Sequence, residues 1–324
     1  MRRRQFISAA ALISLWPRPA WPQQAGRTYR VGLMIGETLT TAAALPAFRE
    51  ELARFGFVEG RNLVLDMRRA QQDRERLEAA ARDLVRGGAD LIVASTASAV
   101  DAAVAGTTST PIVIWANNFD PIARGYVQGL AHPGGRVTGV FSRQLELAEK
   151  QVELLNDAFP HRKRIAMLWD SGSAEQYPAA AHRAKALGLE PISIRFDRTP
   201  YDIPGAYQAM KAQSAELVLV LSTPFLALYQ DRIVELAAEN RLPTMFILRT
   251  YVLAGGLMSY GVPVEATFRR VANFVGRILQ GSKPADLPLE QPNQYHLAIN
   301  LKTAQRIGVE LPTSILLRAD EVIE

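Results

Sequence analysis

The sequence contains no cysteine. This absence excludes disulfide bonds, a thiolate nucleophile, cysteine-bound metal sites and an amino-terminal cysteine that carries a lipid. Histidine is scarce as well, and the four histidines show no spacing that is typical of metal ligands. They are His132, His161, His182 and His296. We therefore expect neither a bound metal nor any other cofactor.

The motifs of common catalytic and nucleotide-binding sites are also absent. No Gly-x-x-x-x-Gly-Lys-Ser/Thr phosphate loop occurs, and Gly134 and Gly135 precede a predicted strand, whereas a dinucleotide site places its glycines before a helix. Ser171 and Ser173 flank Gly172 without the outer glycines of a nucleophile elbow. We therefore expect a protein that is not an enzyme.

Acidic residues are missing from the amino-terminal part of the chain. The formal net charge is +5, but four arginines precede Ala25 in a stretch without Asp or Glu, so the rest of the chain is nearly neutral. A nearly neutral body has no bulk electrostatic attraction to phosphate backbones. We therefore expect no nucleic-acid partner.

Residues 1–25 have the features of an export signal peptide. Three arginines at 2–4 precede an apolar run at 6–15, which is too short to span a bilayer, and a proline-rich stretch follows. The sequence at 3–7 also matches a twin-arginine signal, with an ordinary Sec leader as the alternative. No later segment has the 18 or so apolar residues of a membrane span, so we expect a protein that is free in the periplasm.

One stretch occurs twice in closely similar form. In residues 89–96 a small residue and a carboxylate lead into an apolar run that ends at Ser95 and Thr96. Residues 215–223 repeat this order and end at Ser222 and Thr223. A short apolar run without alternation is typical of a parallel strand that is buried on both faces.

Two further pairs of segments keep a similar spacing. Residues 30–34 resemble 164–168, and residues 110–114 resemble 242–246, each pair about 130 residues apart. Predicted strands and amphipathic helices alternate along both halves, and one such helix covers 226–239. The predicted fold class is α/β, with two doubly wound parallel-sheet lobes that face each other across a cleft.

Segments outside the repeat predict three crossings between the lobes. We interpret the strand at 137–141 and the glycine-rich stretch 255–261 as the first two crossings, and the tail after 287 as the third. The hinge is expected near Phe141 and Gly256. The predicted segments are 29–143 with 257–281 for the N-terminal lobe, and 144–256 with 282–324 for the C-terminal lobe.

Polar residues that follow predicted strands are the candidate ligand contacts, because open α/β sheets bind ligands at the carboxyl ends of their strands. Ser95, Thr96 and Ser98 place hydroxyl and N–H groups at a helix amino terminus, where a carboxylate can bind. In the alternative interpretation, Ser98 only caps its helix. Ser222 and Thr223 form the matching candidate site in the second half.

Charged and aromatic residues extend this candidate site, and each has a structural alternative. Asp120 and Asp170 could bind an ammonium group, although Asp120 could instead cap a helix. Arg249 could pair with a carboxylate or lie exposed in a loop, and Tyr260 could line the cleft or pack the hinge. The full predicted set of ligand contacts is Gly36, Glu37, Ser95, Thr96, Ser98, Asn117, Asp120, Asp170, Ser222, Thr223, Arg249 and Tyr260.

Several short segments at predicted turns and at the predicted hinge together resemble those of one known family. They lie at 57–62 (Phe-Val-Glu-Gly-Arg-Asn), 131–139 (Ala-His-Pro-Gly-Gly-Arg-Val-Thr-Gly), 255–261, 281–288, 299–304 and 318–324. In these segments the chain resembles the periplasmic substrate-binding proteins of ABC transporters, in the tryptophan/tyrosine-binding-like group. The similarity covers nearly all of the chain after the leader. Arg249 departs from the acidic or small residue that this family pattern places there.

The resemblance implies a type I periplasmic-binding fold that traps a small, amino-acid-like ligand between two lobes. It also implies a monomer that delivers this ligand to an ABC permease in the inner membrane. Characterised members that are similar to it bind aromatic amino acids. Two alternatives stay open: a periplasmic ligand sensor that partners a membrane signalling receptor, and, less favoured, an enzyme on the same bilobed fold.

Overall fold

A computed structural model describes residues 26–35, 40–69, 73–117, 119–292 and 294–324. The predicted signal peptide lies outside the described residues, and so do the candidate contacts Gly36 and Glu37. Within the described ranges, no helix combines the length and the apolar character that crossing a membrane requires.

The first lobe is built on a five-stranded sheet. Its strands are β1 (Tyr29–Ile35), β2 (Leu63–Arg69), β3 (Leu91–Ala94), β4 (Ile112–Asn117) and β5 (Val137–Ser142), and the helices between them are α1 (Thr40–Arg54), α2 (Arg74–Arg86) and α3 (Ala97–Gly106). The strand order is β2-β1-β3-β4-β5, and every pair is parallel. Apolar residues fill both faces, as in β3, where all four residues are buried.

The second lobe begins with a longer run of alternating elements. They are α4 (Gln144–Ala158), β6 (Arg164–Asp170), α5 (Gln176–Ala186), β7 (Glu190–Phe196), α6 (Ile203–Ala212), β8 (Leu217–Val220), α7 (Pro224–Ala227), α8 (Gln230–Glu239), β9 (Thr244–Phe246), α9 (Arg249–Leu253) and β10 (Met258–Gly261). The single helix predicted over 226–239 is therefore two helices, because α7 ends at Ala227 and α8 starts at Gln230.

The elements of the remaining chain are divided between the two lobes. Its elements are α10 (Val264–Leu279), β11 (His296–Asn300), α11 (Leu301–Ile307), α12 (Thr313–Leu316) and β12 (Glu321–Ile323). Helix α10 returns to the first lobe, where Val271, Phe274 and Val275 are buried in the same core as Phe48 of α1. The second sheet has the order β12-β11-β10-β9-β8-β6-β7, and β11 runs antiparallel to β10.

The duplication that the sequence predicts is visible in the strand order. Strands β2-β1-β3-β4 of the first sheet correspond to β7-β6-β8-β9 of the second sheet. The repeated segments at 89–96 and 215–223 contain β3 and β8, which occupy the same place in the two sheets. The predicted fold class, two parallel-sheet α/β lobes, is confirmed.

The first crossing lies after β5, whereas the sequence placed it within 137–141. Those residues form the edge of the first sheet, with Val137 opposite Ile112 and Ser142 opposite Asn117. The chain leaves the lobe only at Arg143, which precedes α4. The predicted position was wrong because an edge strand and a linking strand have the same apolar pattern.

The second and third crossings also differ from the predicted boundaries. Strand β10 pairs with β9 and β11, so residues 258–261 belong to the second lobe and the chain crosses at Val262 and Pro263. Residues 284–290 stay with the first lobe, where the Glu290 amide donates to the Gly139 carbonyl at 2.9 Å. The third crossing therefore precedes β11, at residues 291–295.

Gly256 is a packing residue, and the prediction of a hinge at this position was wrong. An added Cβ would come within 2.7 Å of the Phe246 ring and of the Tyr251 carbonyl oxygen. Only a residue without a side chain allows α9 to lie this close to β9. The chain passes between the lobes instead at 143, at 262–263 and in the segment before β11.

Candidate functional site

The first-lobe edge of the candidate site begins at the end of β3. Thr96 has an extended backbone and caps α3, since its Oγ1 accepts a hydrogen bond from the Ala99 amide at 3.1 Å. Ser98 lies inside the helix and is exposed, so the expectation that Ser98 is the cap was wrong by two positions. Ser95 and Thr96 are half-buried at the carboxyl end of the strand.

Asn117 is the last residue of β4 and is exposed at the same edge of the sheet. Its Oδ1 accepts a hydrogen bond from the Ser142 hydroxyl at 2.7 Å, because β4 and β5 place these two residues opposite each other. The amide group is thereby held at the start of the first crossing.

Asp120 holds a turn in the loop that follows β4. Its Oδ1 accepts hydrogen bonds from the Ile122 and Ala123 amides, both at 3.0 Å, and its other oxygen pairs with Arg143. These interactions, first of all the bond from Ala123, keep the pKa of the carboxyl group below its usual value. Asp120 therefore anchors the loop to the first crossing, and its charge is already paired within the chain.

Asp170, at the end of β6, is the most buried of the candidate residues, with 0% of its surface exposed. Its carboxylate accepts hydrogen bonds from the Gly172 amide at 2.7 Å, the Tyr201 hydroxyl at 2.8 Å and the Thr223 hydroxyl at 2.6 Å. Burial and then the bond to Asp170 raise the pKa of Tyr201. The geometry does not support a direct contact with a ligand ammonium, because no part of the carboxylate is exposed.

Ser222 and Thr223 follow β8, and two side chains from neighbouring elements fix them. The Gln176 amide group donates to the Ser222 carbonyl oxygen at 2.8 Å and accepts from the Ser222 amide at 3.0 Å. Thr223 caps α7, because its Oγ1 accepts hydrogen bonds from the Phe225 and Leu226 amides, both at 3.1 Å. The same hydroxyl donates a hydrogen bond to the Asp170 carboxylate. The second-lobe edge is therefore tied to the core through Asp170 and Gln176.

Arg249 is exposed and forms a bidentate ion pair with Glu321 of β12. The bond to Glu321 raises the pKa of Arg249, and the same bond lowers the pKa of Glu321. Arg249 was expected in a loop, but it is the first residue of the short helix α9. Arg249 and Glu321 lie in the wall of a cavity of about 510 Å³ beside the second crossing.

Tyr260 lies on β10 and stacks on Tyr295 of the third crossing, with ring centroids 5.6 Å apart. Burial raises the pKa of its hydroxyl. Tyr260 was predicted either to line the cleft or to pack at the hinge, and its contact with Tyr295 matches the second alternative.

Two side chains of the second lobe lie over the Trp169 ring. Tyr177 stacks on it at 4.7 Å, and the Arg195 guanidinium lies 5.0 Å from the ring centre. The ring therefore packs within the second lobe.

A small cavity lies where the three crossings meet, and we call it the hinge cavity. Its volume is about 30 Å³. It is lined by Trp115, Asn117, Val140, Phe141, Ser142, Gln144, Leu147, Ile247, Leu248, Val262, Val264, Thr267 and Pro292. The ends of β4 and β9 contribute to this wall, so the hinge cavity adjoins the strand-end edges of both sheets.

Sequence reasoning missed three residues that shape the site: Gln144, Gln176 and Tyr201. Both glutamines lie at the first position of a helix and are buried, although a glutamine at a helix start is usually exposed. Tyr201 lies in the loop after β7, far in sequence from the Asp170 that it contacts. No local pattern marks any of the three, because their partners come from other elements.

Comparison with known proteins agrees with this bilobed architecture. Residues 39–323 match the model of the ABC transporter substrate binding protein family. The chain belongs to this family. A curated relative, the tyrosine-binding protein of Clostridioides difficile (strain R20291), is 25% identical over 276 residues, which cover 82% of this chain and 77% of the relative.

Solved structures of similar fold come from several bacteria. The ABC domain of Streptococcus pneumoniae in complex with L-Trp has a TM-score of 0.80 and 24% identity, covering 91% of this chain and 100% of that one. A conserved domain protein of Vibrio cholerae has a TM-score of 0.81 with the same identity and coverage. These likenesses support the type I periplasmic-binding fold of this substrate-binding protein.

Proposed function

We propose that this chain is the periplasmic substrate-binding component of an ABC importer and that it traps an aromatic amino acid between its lobes. One observation carries the proposal: polar strand ends occupy matching places in two duplicated sheets that are joined by three crossings. In the first sheet these are Ser95 and Thr96, and in the second sheet Ser222 and Thr223. In open α/β sheets this edge is where ligands bind.

The chemistry of the first-lobe edge suits the main-chain groups of an amino acid. The amino end of α3 offers backbone N–H groups and partial positive charge for a carboxylate. The exposed Asn117 offers an amide oxygen for an ammonium group. The aromatic side chain is proposed from the relatives, one of which is named a tyrosine-binding protein and another of which was solved with L-Trp.

Closure of the lobes about the three crossings would enclose the ligand and exclude water, as in other hinge-bending binding proteins. The ligand shifts the equilibrium because it contacts both lobes only in the closed form. The permease would receive the closed form. Export to the periplasm is proposed from the arginine-rich start and apolar run of residues 1–25.

A thermal-shift panel of amino acids tests the binding step. We expect L-Trp, L-Tyr or L-Phe to raise the melting temperature, since a ligand at about a hundred times its Kd adds about 2.7 kcal/mol to the stability of the folded state. L-Ala serves as the control for the main-chain groups alone, and L-Lys as the control for a long, charged side chain. Absence of a shift with every amino acid, peptide and aromatic acid would contradict the proposal.

The transport step needs a separate test. Uptake of the bound amino acid into cells should depend on this chain and on a permease and ATPase encoded beside its gene. Normal uptake after deletion of the gene, combined with loss of a signalling response, would favour the role of a sensor.

A further inference from the structure

One residue in the wall of the hinge cavity has a buried polar atom with no partner among the described residues. Gln144 lines the cavity and is only 3% exposed, yet its Oε1 accepts no hydrogen bond from any residue that the structure describes. An acceptor that is buried without a donor costs about 1–3 kcal/mol. A donor from outside the protein would remove this cost.

Two other buried glutamines show that Gln144 is unusual. Gln151, on the same helix and also 3% exposed, donates to the Tyr260 carbonyl oxygen at 2.7 Å. Gln176 is bonded through both its oxygen and its nitrogen to the Ser222 backbone. Of these three buried glutamines, Gln144 is the one with a buried side-chain atom that has no partner among the described residues.

The remainder of the cavity wall is mainly apolar. Trp115, Leu147 and Leu248 are among the lining residues, and the Trp115 ring is fixed by an edge-to-face contact with Phe268 at 4.4 Å. The volume of about 30 Å³ holds roughly one or two water molecules. It therefore suits the tip of a ligand side chain, and a whole ring would remain in the adjoining cleft.

We propose that Gln144 determines ligand specificity, by accepting a hydrogen bond from a donor at the tip of the ligand's apolar side chain. A phenolic O–H or an indole N–H has this chemistry, whereas a phenyl ring has no donor. This inference rests on the proposed function, because it concerns the side chain of the amino acid that the cleft would bind.

Titration calorimetry of the purified protein with L-Tyr, L-Trp and L-Phe tests the inference. We expect L-Tyr or L-Trp to bind at least about tenfold more tightly than L-Phe, because L-Phe leaves the acceptor unpaired or traps a water. In Gln144→Leu this preference should fall to within about threefold, mainly through tighter binding of L-Phe relative to the others.

A matched control is Gln151→Leu, which removes an equally buried glutamine from the same helix without touching the cavity. It should keep the wild-type ratio of affinities. If Gln144→Leu does not fold, Gln144→Met replaces the amide by an apolar group of similar length, and the ratio in the wild-type protein is informative in either case.

The outcomes separate the two proposals. Binding of L-Phe as tightly as L-Tyr and L-Trp by the wild-type protein overturns the role of Gln144 alone, as does a preference that persists in both Gln144 variants. Binding of none of the three overturns the proposed aromatic ligand, and the inference with it.

Discussion

The two lobes share one strand order but hold their strand-end residues differently. In the first lobe, Thr96 caps a ten-residue helix and is half-buried. In the second lobe, the equivalent Thr223 caps a four-residue helix, is buried and also donates to Asp170. The strand-end threonine therefore only caps a helix in the first lobe, whereas in the second lobe it also belongs to a buried hydrogen-bonded network.

This difference suggests a division of roles between the lobes. A network that is satisfied within the core fixes Ser222 and Thr223 before any ligand arrives. The first-lobe edge keeps exposed polar groups, namely Ser98 and Asn117. We infer that the second lobe presents a rigid surface, against which the first lobe closes.

The largest expected effect is that of Asp170→Ala. The variant removes the carboxylate that accepts hydrogen bonds from the Tyr201 and Thr223 hydroxyls and from the Gly172 amide, so we expect a loss of about 3 kcal/mol in the free energy of unfolding. Urea denaturation followed by tryptophan fluorescence measures this loss. Asp120→Ala in the first lobe is the control.

Asp120 is partly exposed and its donors can turn to water, so its loss should cost only about 1 kcal/mol. After residue 25 the chain has one tryptophan in each sheet, Trp115 and Trp169. Replacing either with Phe lets the fluorescence of the other report on one lobe. Equal losses for Asp170→Ala and Asp120→Ala would contradict the proposed difference between the lobes.

A second prediction compares the two threonine caps directly. Thr96→Ala should cost about 1 kcal/mol, the usual loss for a helix cap. Thr223→Ala should cost about 2–3 kcal/mol, because it removes a cap and also one donor to a buried carboxylate. Urea denaturation of both variants gives the two values.

The serine variants at the same positions test the cause. Thr96→Ser and Thr223→Ser keep the hydroxyl, so each should recover most of the stability that its alanine variant loses. A loss at Thr223→Ser as large as at Thr223→Ala would assign the effect to packing of the methyl group.

The sequence was sufficient to predict the duplicated α/β fold, because buried parallel strands and their polar ends leave a local pattern. It also predicted that Ser95 and Ser222 occupy equivalent positions. It did not predict which lobe has the hydrogen-bonded network, because the Tyr201 and Thr223 hydroxyls that bind Asp170 lie about 30 to 50 residues away in sequence. The positions of the crossings could not be predicted for a similar reason: they depend on which strands pair within each sheet, and pairing has no local signature.

The smallest expected effect concerns the ends of β4 and β9. Asn117 contacts only the neighbouring strand through Ser142, whereas Arg249 reaches the distant strand β12 through Glu321. Arg249 lowers the pKa of Glu321, so the pair contributes stability above the ordinary carboxyl pKa near 4.5 and loses it as the pH falls through the lowered value. Because the pair is partly exposed, we expect Glu321→Gln to cost about 0.5–1 kcal/mol at pH 7 and less at pH 3. Urea denaturation at both pH values measures the difference. Asn117→Ala is the control, because its cost should not depend on pH. An equal cost of Glu321→Gln at pH 7 and pH 3 would show that the charge of Glu321 does not hold β12 to the second-lobe edge.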